Sequence, residues 1–414
     1  MKNGNFHWPS AIQFFLSVIV TLMCWGVALI LVLGGAIRLL SPSESEVDFL
    51  SITLLAAGAA MSGFLFIPSA AYALLRLLGK SYSLPAWLRR LLNPNLLILF
   101  LPVTLLFGYW IAERSELAWL ILPFLHVLAV GLPILWLAYL GWRGLPTGTP
   151  QRAWGVFGSG LLLGPAVIMV FEMLALGVLF ILAMIYISLH PEMSQALSDL
   201  QQLLPDMGGS PEDALSLVKP YLTMPIVIFT IFSFVALIVP LIEEIFKPIG
   251  AWLLVWKNLS PAEGFTAGLL SGTGYALFEN LALTTINNGG WLEIVILRMG
   301  TGLLHIITAA LTGWAMAMAW GKGRYIRLAL TYLVVVLIHG AWNGLAVIAG
   351  VQDLALSGPS VFGSISWVSN LAYIGMAFLT IAMFLVLIVS NSLLRRGESS
   401  LLRREDGFYH STDQ

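Results

Sequence analysis

Apolar runs recur from one end of the chain to the other, separated by short joints rich in polar residues, Pro and Gly. A helix needs roughly 20 apolar residues to cross the hydrocarbon core of a bilayer. By that measure the pattern predicts ten spans. They lie at about 11–40, 49–75, 95–112, 117–140, 154–189, 221–256, 262–286, 293–320, 325–350 and 362–394. Several exceed the minimum length, so tilt or extension into water is expected. The fold class expected is all-α: a polytopic transmembrane helical bundle.

Composition agrees with that reading. Of 414 residues, 59% are hydrophobic and 10% are charged, against about 25% charged in a soluble domain. The net charge of −1, with no basic stripe, gives no reason to invoke nucleic acid. Cys24 is the only cysteine, so neither an intramolecular disulfide nor a cysteine metal site can form. The first apolar run is too long for a signal-peptide core and reads as a span that stays. Basic residues favour cytoplasmic joints. With ten spans and a cytoplasmic start, the inner joints and termini collect 15 of the 20 Lys and Arg. These include Arg76, Lys80, Arg89, Arg90, Arg143, Arg152, Lys322, Arg324 and Arg327. Both termini are therefore expected in the cytoplasm of a multi-pass protein, set in the cell membrane of a prokaryote.

Polarity divides the chain. Residues 1–220 form an N-terminal five-span region with few polar groups, closed by an outer polar loop at 190–220. Residues 221–350 form a four-helix core with many. A final span occupies 351–394, and 395–414 is a charged tail expected to be disordered in the cytoplasm. There is no internal repeat.

Candidate chemistry lies in the core. The run Val239-Pro240-Leu241-Ile242-Glu243-Glu244-Ile245-Phe246-Lys247-Pro248 places three ionisable groups within five residues of an apolar span. A charge at bilayer depth costs about 3 kcal/mol or more, so such a group marks a functional site by default. Glu243 and Lys247 are four apart and would share a helix face. Two neighbouring carboxylates with one ammonium cannot all stay charged in low dielectric, which suits one of them to acid–base work. Pro240 and Pro248 remove backbone donors and would open the helix locally. In the next span Gly268, Gly272 and Gly274 precede Tyr275, Glu279 and Asn280, and small residues permit close helix approach. The eighth span carries Arg298 and, two turns on, His305; the ninth carries His339 and Asn343 one turn apart. Counted at about 1.5 Å per residue, Glu243 and His339 each lie ~21 Å from the inner end of their spans. His126 and Glu172 have no partner pattern and read as structural.

Taken together, Glu243-Glu244-x-x-Lys247, the Gly-rich approach to Glu279-Asn280, the Arg298…His305 helix and His339-x-x-x-Asn343 resemble the PrsW family of intramembrane proteases. That family is distantly similar to the CAAX-prenyl endopeptidases and bacteriocin-processing membrane proteins. The resemblance covers about residues 225–350, with Tyr275 standing where the family commonly has Phe. It implies an intramembrane endopeptidase, a hydrolase acting on membrane-anchored protein or peptide substrates. It also implies a catalytic set of Glu243, Glu244, Lys247, Glu279, Asn280, Arg298, His305, His339 and Asn343, gathered around one water. Two mechanisms are open. In the favoured glutamic one, Glu243 or Glu244 activates water while His305, His339 and Asn343 stabilise the oxyanion, and no cofactor is required. In the metalloprotease one, Glu279, His305 and His339 bind zinc and Glu243 is the base.

Two other functions fit a polar membrane core. Carboxylates and histidines also build the relays of proton- or ion-coupled transporters, but those usually show repeats across two halves. A non-catalytic scaffold could share the fold, since fold alone does not establish activity.

Overall fold

The computed structural model describes residues 7–40, 49–191, 193–195, 198, 224–282, 290–355 and 366–411. Among them every regular element is helical. The principal helices are α1 (Trp8–Leu40), α2 (Phe49–Leu77), α3 (Ala86–Leu91), α4 (Pro94–Leu97), α5 (Leu101–Ala112), α6 (Ser115–Trp142), α7 (Pro150–Gly158) and α8 (Gly164–Leu189). There follow α9 (Pro225–Ser233), α10 (Val239–Phe246), α11 (Ile249–Trp252), α12 (Pro261–Leu281), α13 (Trp291–Lys322), α14 (Tyr325–Ala355) and α15 (Ser366–Ser411). Most of the polar stretch expected at 190–220 lies outside the described residues.

Nine helical stretches among the described residues are long and apolar enough to cross a membrane, and they match nine of the ten expected spans. The tenth, 262–286, is present as the helix α12 but falls short in apolarity. The reason is its surroundings. From Ala262 to Ala276 all but one of its residues are buried in protein, so it has little need of lipid-soluble side chains.

The chain divides into two compact units that cut across the boundaries suggested by polarity. The first comprises residues 1–165, 246–332 and 380–414; the second comprises 166–245 and 333–379. Hydrocarbon is as apolar as leucine, so membrane helices are held together by close packing and interhelical hydrogen bonds rather than by escape from water.

In the first unit α12 is the central element. Its start is fixed by a capping box, in which the Glu263 N–H donates to Ser260 Oγ and the Ser260 N–H to Glu263 Oε2. Arg152 pairs with Glu263 at 2.8 Å. Gly264, Gly268 and Gly272 then run at four-residue spacing along α13. A Cβ at these positions would come within 2.5, 2.1 and 2.4 Å of Gly313 O, Ala309 O and His305 O respectively. Gly274 meets the end of α7 and the π-helical turn at Ser159–Leu163 that follows it, where a Cβ would lie 2.3 Å from Phe157 O and 2.6 Å from Leu161 N. Polar contacts tie the outer helices of the unit. Gln13 Nε2 donates to Ser69 Oγ and Gln151 O, each at 3.0 Å, and Arg76 donates to Gln151 Oε1 at 2.9 Å.

The tail differs from expectation. α15 stays helical to Ser411. Its Asn391 amide donates to the carbonyls of Gly141 (2.7 Å) and Arg143 (3.0 Å), and Glu398 accepts from Ser260 Oγ. Glu398 thus ties the first residues of the expected tail to the start of α12.

In the second unit, α8 presents Met169, Val170, Phe180 and Ile181 on its exterior, each more than half exposed, as a lipid-facing helix should. α9 runs into a π-helical turn at Phe234–Ile238 and then into α10. Gly340 of α14 packs on that turn, with a Cβ position 2.3 Å from Ala236 O.

Candidate active site

The site residues expected from sequence fall into two clusters, one in each unit. In the second unit the π turn explains the local geometry. Its backbone bonds run from residue i to i−5, and the Val239 N–H reaches Phe234 O. The next such donor would be residue 240, which is proline and has no N–H. Asn343 fills the gap: its Nδ2 donates to Val235 O at 3.0 Å. One of the two Nδ2 hydrogens is thus committed to the main chain.

The close approach at Gly340 brings α14 within side-chain reach of α10. His339 Nδ1 lies 2.8 Å from Glu244 Oε1, and His339 Nε2 lies 3.9 Å from Glu243 Oε2. The first is a hydrogen bond; the second is too long for one and is an electrostatic contact. Glu244 is 0% exposed, His339 2% and Glu243 8%. When Glu244 is ionised it only accepts, so Nδ1 then carries the proton and Glu244 orients the ring.

α10 stops at Phe246, so Lys247 lies in the turn that follows rather than on the helix that carries Glu243. Pro248 makes the break, as expected. Within the first unit, Ser271 of α12 stitches its two sides, donating from Oγ to Lys247 O at 2.6 Å and accepting from the Gly250 N–H at 3.1 Å. Lys247 is fully buried, with Nζ 5.2 Å from the centre of the Tyr275 ring, a cation–π distance.

The glycine stripe of α12 sets the first unit's cluster. With the two backbones in contact, Glu279 reaches both functional groups of α13. Arg298 Nη1 donates to Glu279 Oε1 at 2.6 Å, and His305 Nε2 contacts Glu279 Oε2. Tyr275 stacks edge-on against His305, ring centres 4.9 Å apart. Arg298, Thr301, His305, Thr308 and Thr312 fall within about 80° of arc, a polar stripe along one face of α13. Asn280 does not join the ion pair: its Nδ2 turns back to Ala276 O of its own helix at 2.7 Å.

Ser271, and the contacts of Tyr275 with Lys247 and His305, were not anticipated. Ser271 could have been noticed as one of two hydroxyls, with Thr273, inside the Gly268–Gly274 run. The π turn carried no signal beyond Pro240.

In both units, carboxylates inside apolar helices are held by imidazole, and in the first unit by guanidinium as well. Residues 214–389 match the family model described as PrsW family intramembrane metalloprotease. That stretch belongs to the PrsW family, and the protein is an intramembrane peptidase. No curated protein and no solved structure matches the chain.

The family's description raises zinc. Imidazole nitrogens and carboxylate oxygens are suitable donors, and both clusters contain them. Among the described residues, however, no group of three His, Cys, Asp or Glu side chains is arranged to hold a metal ion. In the first unit Arg298 already occupies one oxygen of Glu279. In the second, His339 commits Nδ1 to Glu244.

Proposed function

We propose that the protein hydrolyses peptide bonds of membrane-anchored proteins with a glutamate-activated water. Glu243 takes a proton from water as the water oxygen attacks the scissile carbonyl carbon. His339, its Nδ1–H held by Glu244, acts as the imidazolium and donates from Nε2 to the carbonyl oxygen as charge develops there. The tetrahedral species then collapses: the C–N bond breaks and Glu243 returns its proton to the departing amine. In the first unit Lys247, Glu279, Asn280, Arg298 and His305 remain candidate catalytic residues, with Arg298 and Lys247 supplying positive charge; in the second, Asn343 braces the turn before α10.

Support comes above all from His339, whose two ring nitrogens face two adjacent carboxylates, one of them 2.8 Å away and fully buried. A packing histidine needs one acceptor. A histidine between two acids has a fixed tautomer and a second nitrogen directed at another titratable group. The test is cleavage of a membrane-tethered reporter by Glu243→Gln and His339→Ala proteins that express normally. Loss of cleavage in both is expected, and retained cleavage in both ends the proposal.

The family's description favours a second reading, in which Glu279, His305 and His339 hold a zinc ion and Glu243 remains the base. Zinc would supply a water acidic enough to be hydroxide near neutral pH. Metal content and activity after chelation separate the two readings.

A further inference from the structure

The last turn of α12 carries Glu279, and like every helix end it leaves main-chain carbonyls without partners inside the helix. Here those carbonyls are buried: Asn280 is 1% exposed and Leu281 2%. Two N-terminal helices close on them. Gly58 of α2 lies against the Leu281 carbonyl, where a Cβ would come within 2.4 Å of the oxygen. From α6, His126 Nε2 stands 3.3 Å from Asn280 O. A carbonyl oxygen only accepts, so Nε2 carries the proton and donates.

His126 is unusual in its setting. It is the only His, Lys, Arg, Asp or Glu between Glu116 and Arg143, and it is 2% exposed. The Asn280 side chain cannot replace it, because its own amide is spent on Ala276 O. His126 also lies outside the residues 214–389 that match the family.

We infer that His126 is a positioning residue for Glu279. By capping the Asn280 carbonyl it keeps the final turn of α12 wound, in the register at which Glu279 meets both Arg298 and His305. A helix end without a cap frays or tightens, and Glu279, two residues from the end, would swing out of one of those contacts. The N-terminal spans thereby take part in the reaction through the back of the helix that bears the acid. This inference rests on the proposal that Glu279 belongs to the catalytic machinery.

The test compares wild type, His126→Leu, His126→Asn, His126→Gln and Glu279→Gln on a membrane-tethered reporter in proteoliposomes, with kcat and KM measured separately. A glutamine amide nitrogen reaches the place of Nε2, whereas asparagine stops a bond short. Leu and Asn should lower kcat about tenfold or more with KM within about twofold, and Gln should restore most of it. If Leu does not fold, the Asn and Gln pair decides. Equal loss in Asn and Gln, or wild-type kcat in Leu and Asn beside an inactive Glu279→Gln, overturns the role of His126 alone. Full activity in Glu279→Gln removes the catalytic role of Glu279, and the inference with it.

Discussion

His339 meets the two neighbouring carboxylates of α10 unequally: it is hydrogen-bonded to Glu244 at 2.8 Å and stands 3.9 Å from Glu243. The inequality assigns them different work. Glu244 is tied to the imidazole and has little freedom to move protons. Glu243 is slightly more exposed and is the base in the proposed mechanism.

Replacing each acid separates the two roles. Glu243→Gln removes the proposed base and should lower kcat by at least about 100-fold. Glu244→Gln keeps the shape but weakens the hold on His339, and should cost about 10–100-fold, the range seen when a group that orients a metal-bound imidazole is removed. Reporter cleavage rates, with thermal unfolding in detergent as a control, measure both. Equal rates in the two variants would contradict the division of labour.

The contact of Arg298 with Glu279 should appear as coupling. Arg298→Gln and Glu279→Gln each leave a charge without its partner, so the double variant should lose less than the sum of the singles. The interaction energy should fall within about 0.5–3 kcal/mol, read from kcat/KM in a double-mutant cycle. Strict additivity would mean that the two act independently.

Gly268 is a packing position without a chemical role. A methyl group there would fall 2.1 Å from Ala309 O, and backbone cannot yield as a flexible side chain does. Gly268→Val should therefore destabilise the protein by about 1–3 kcal/mol, visible as a lowered melting temperature and reduced yield. Gly177→Ala is the control, since a Cβ there meets nothing within 4 Å.

Chelation distinguishes the mechanisms. If Glu243 activates water unaided, prolonged treatment with a strong chelator should leave reporter cleavage within about twofold, and purified active protein should carry far less than one zinc per chain. Loss of activity with chelator, restored by zinc, would establish the metal reading.

Much of the architecture was legible because a bilayer imposes a simple grammar. Nine spans followed from apolar length alone, since lipid-facing helices such as α8 must be apolar throughout. α12 was visible for another reason: its glycines and polar side chains are tolerable only inside protein, and their four-residue spacing marks the face that meets α13. Pro248 announced the break before α11. The compact units were not legible, because they join segments distant in sequence, such as 166–245 with 333–379. The main-chain partner of Asn343 was not legible, because it arises from a π turn, a one-residue slip in hydrogen bonding that composition does not record. His126 was set aside because its partner is a carbonyl, and every residue has one.

The sheathing of α12 bears on how the protein is made. A segment so rich in glycine and hydroxyl groups gains little by partitioning alone from the translocon into lipid. Its entry into the membrane depends on companions, and α13, synthesised just after it, presents the backbone against which its glycines fit. Substitutions along that seam will therefore register in nascent-chain topology before they register in turnover.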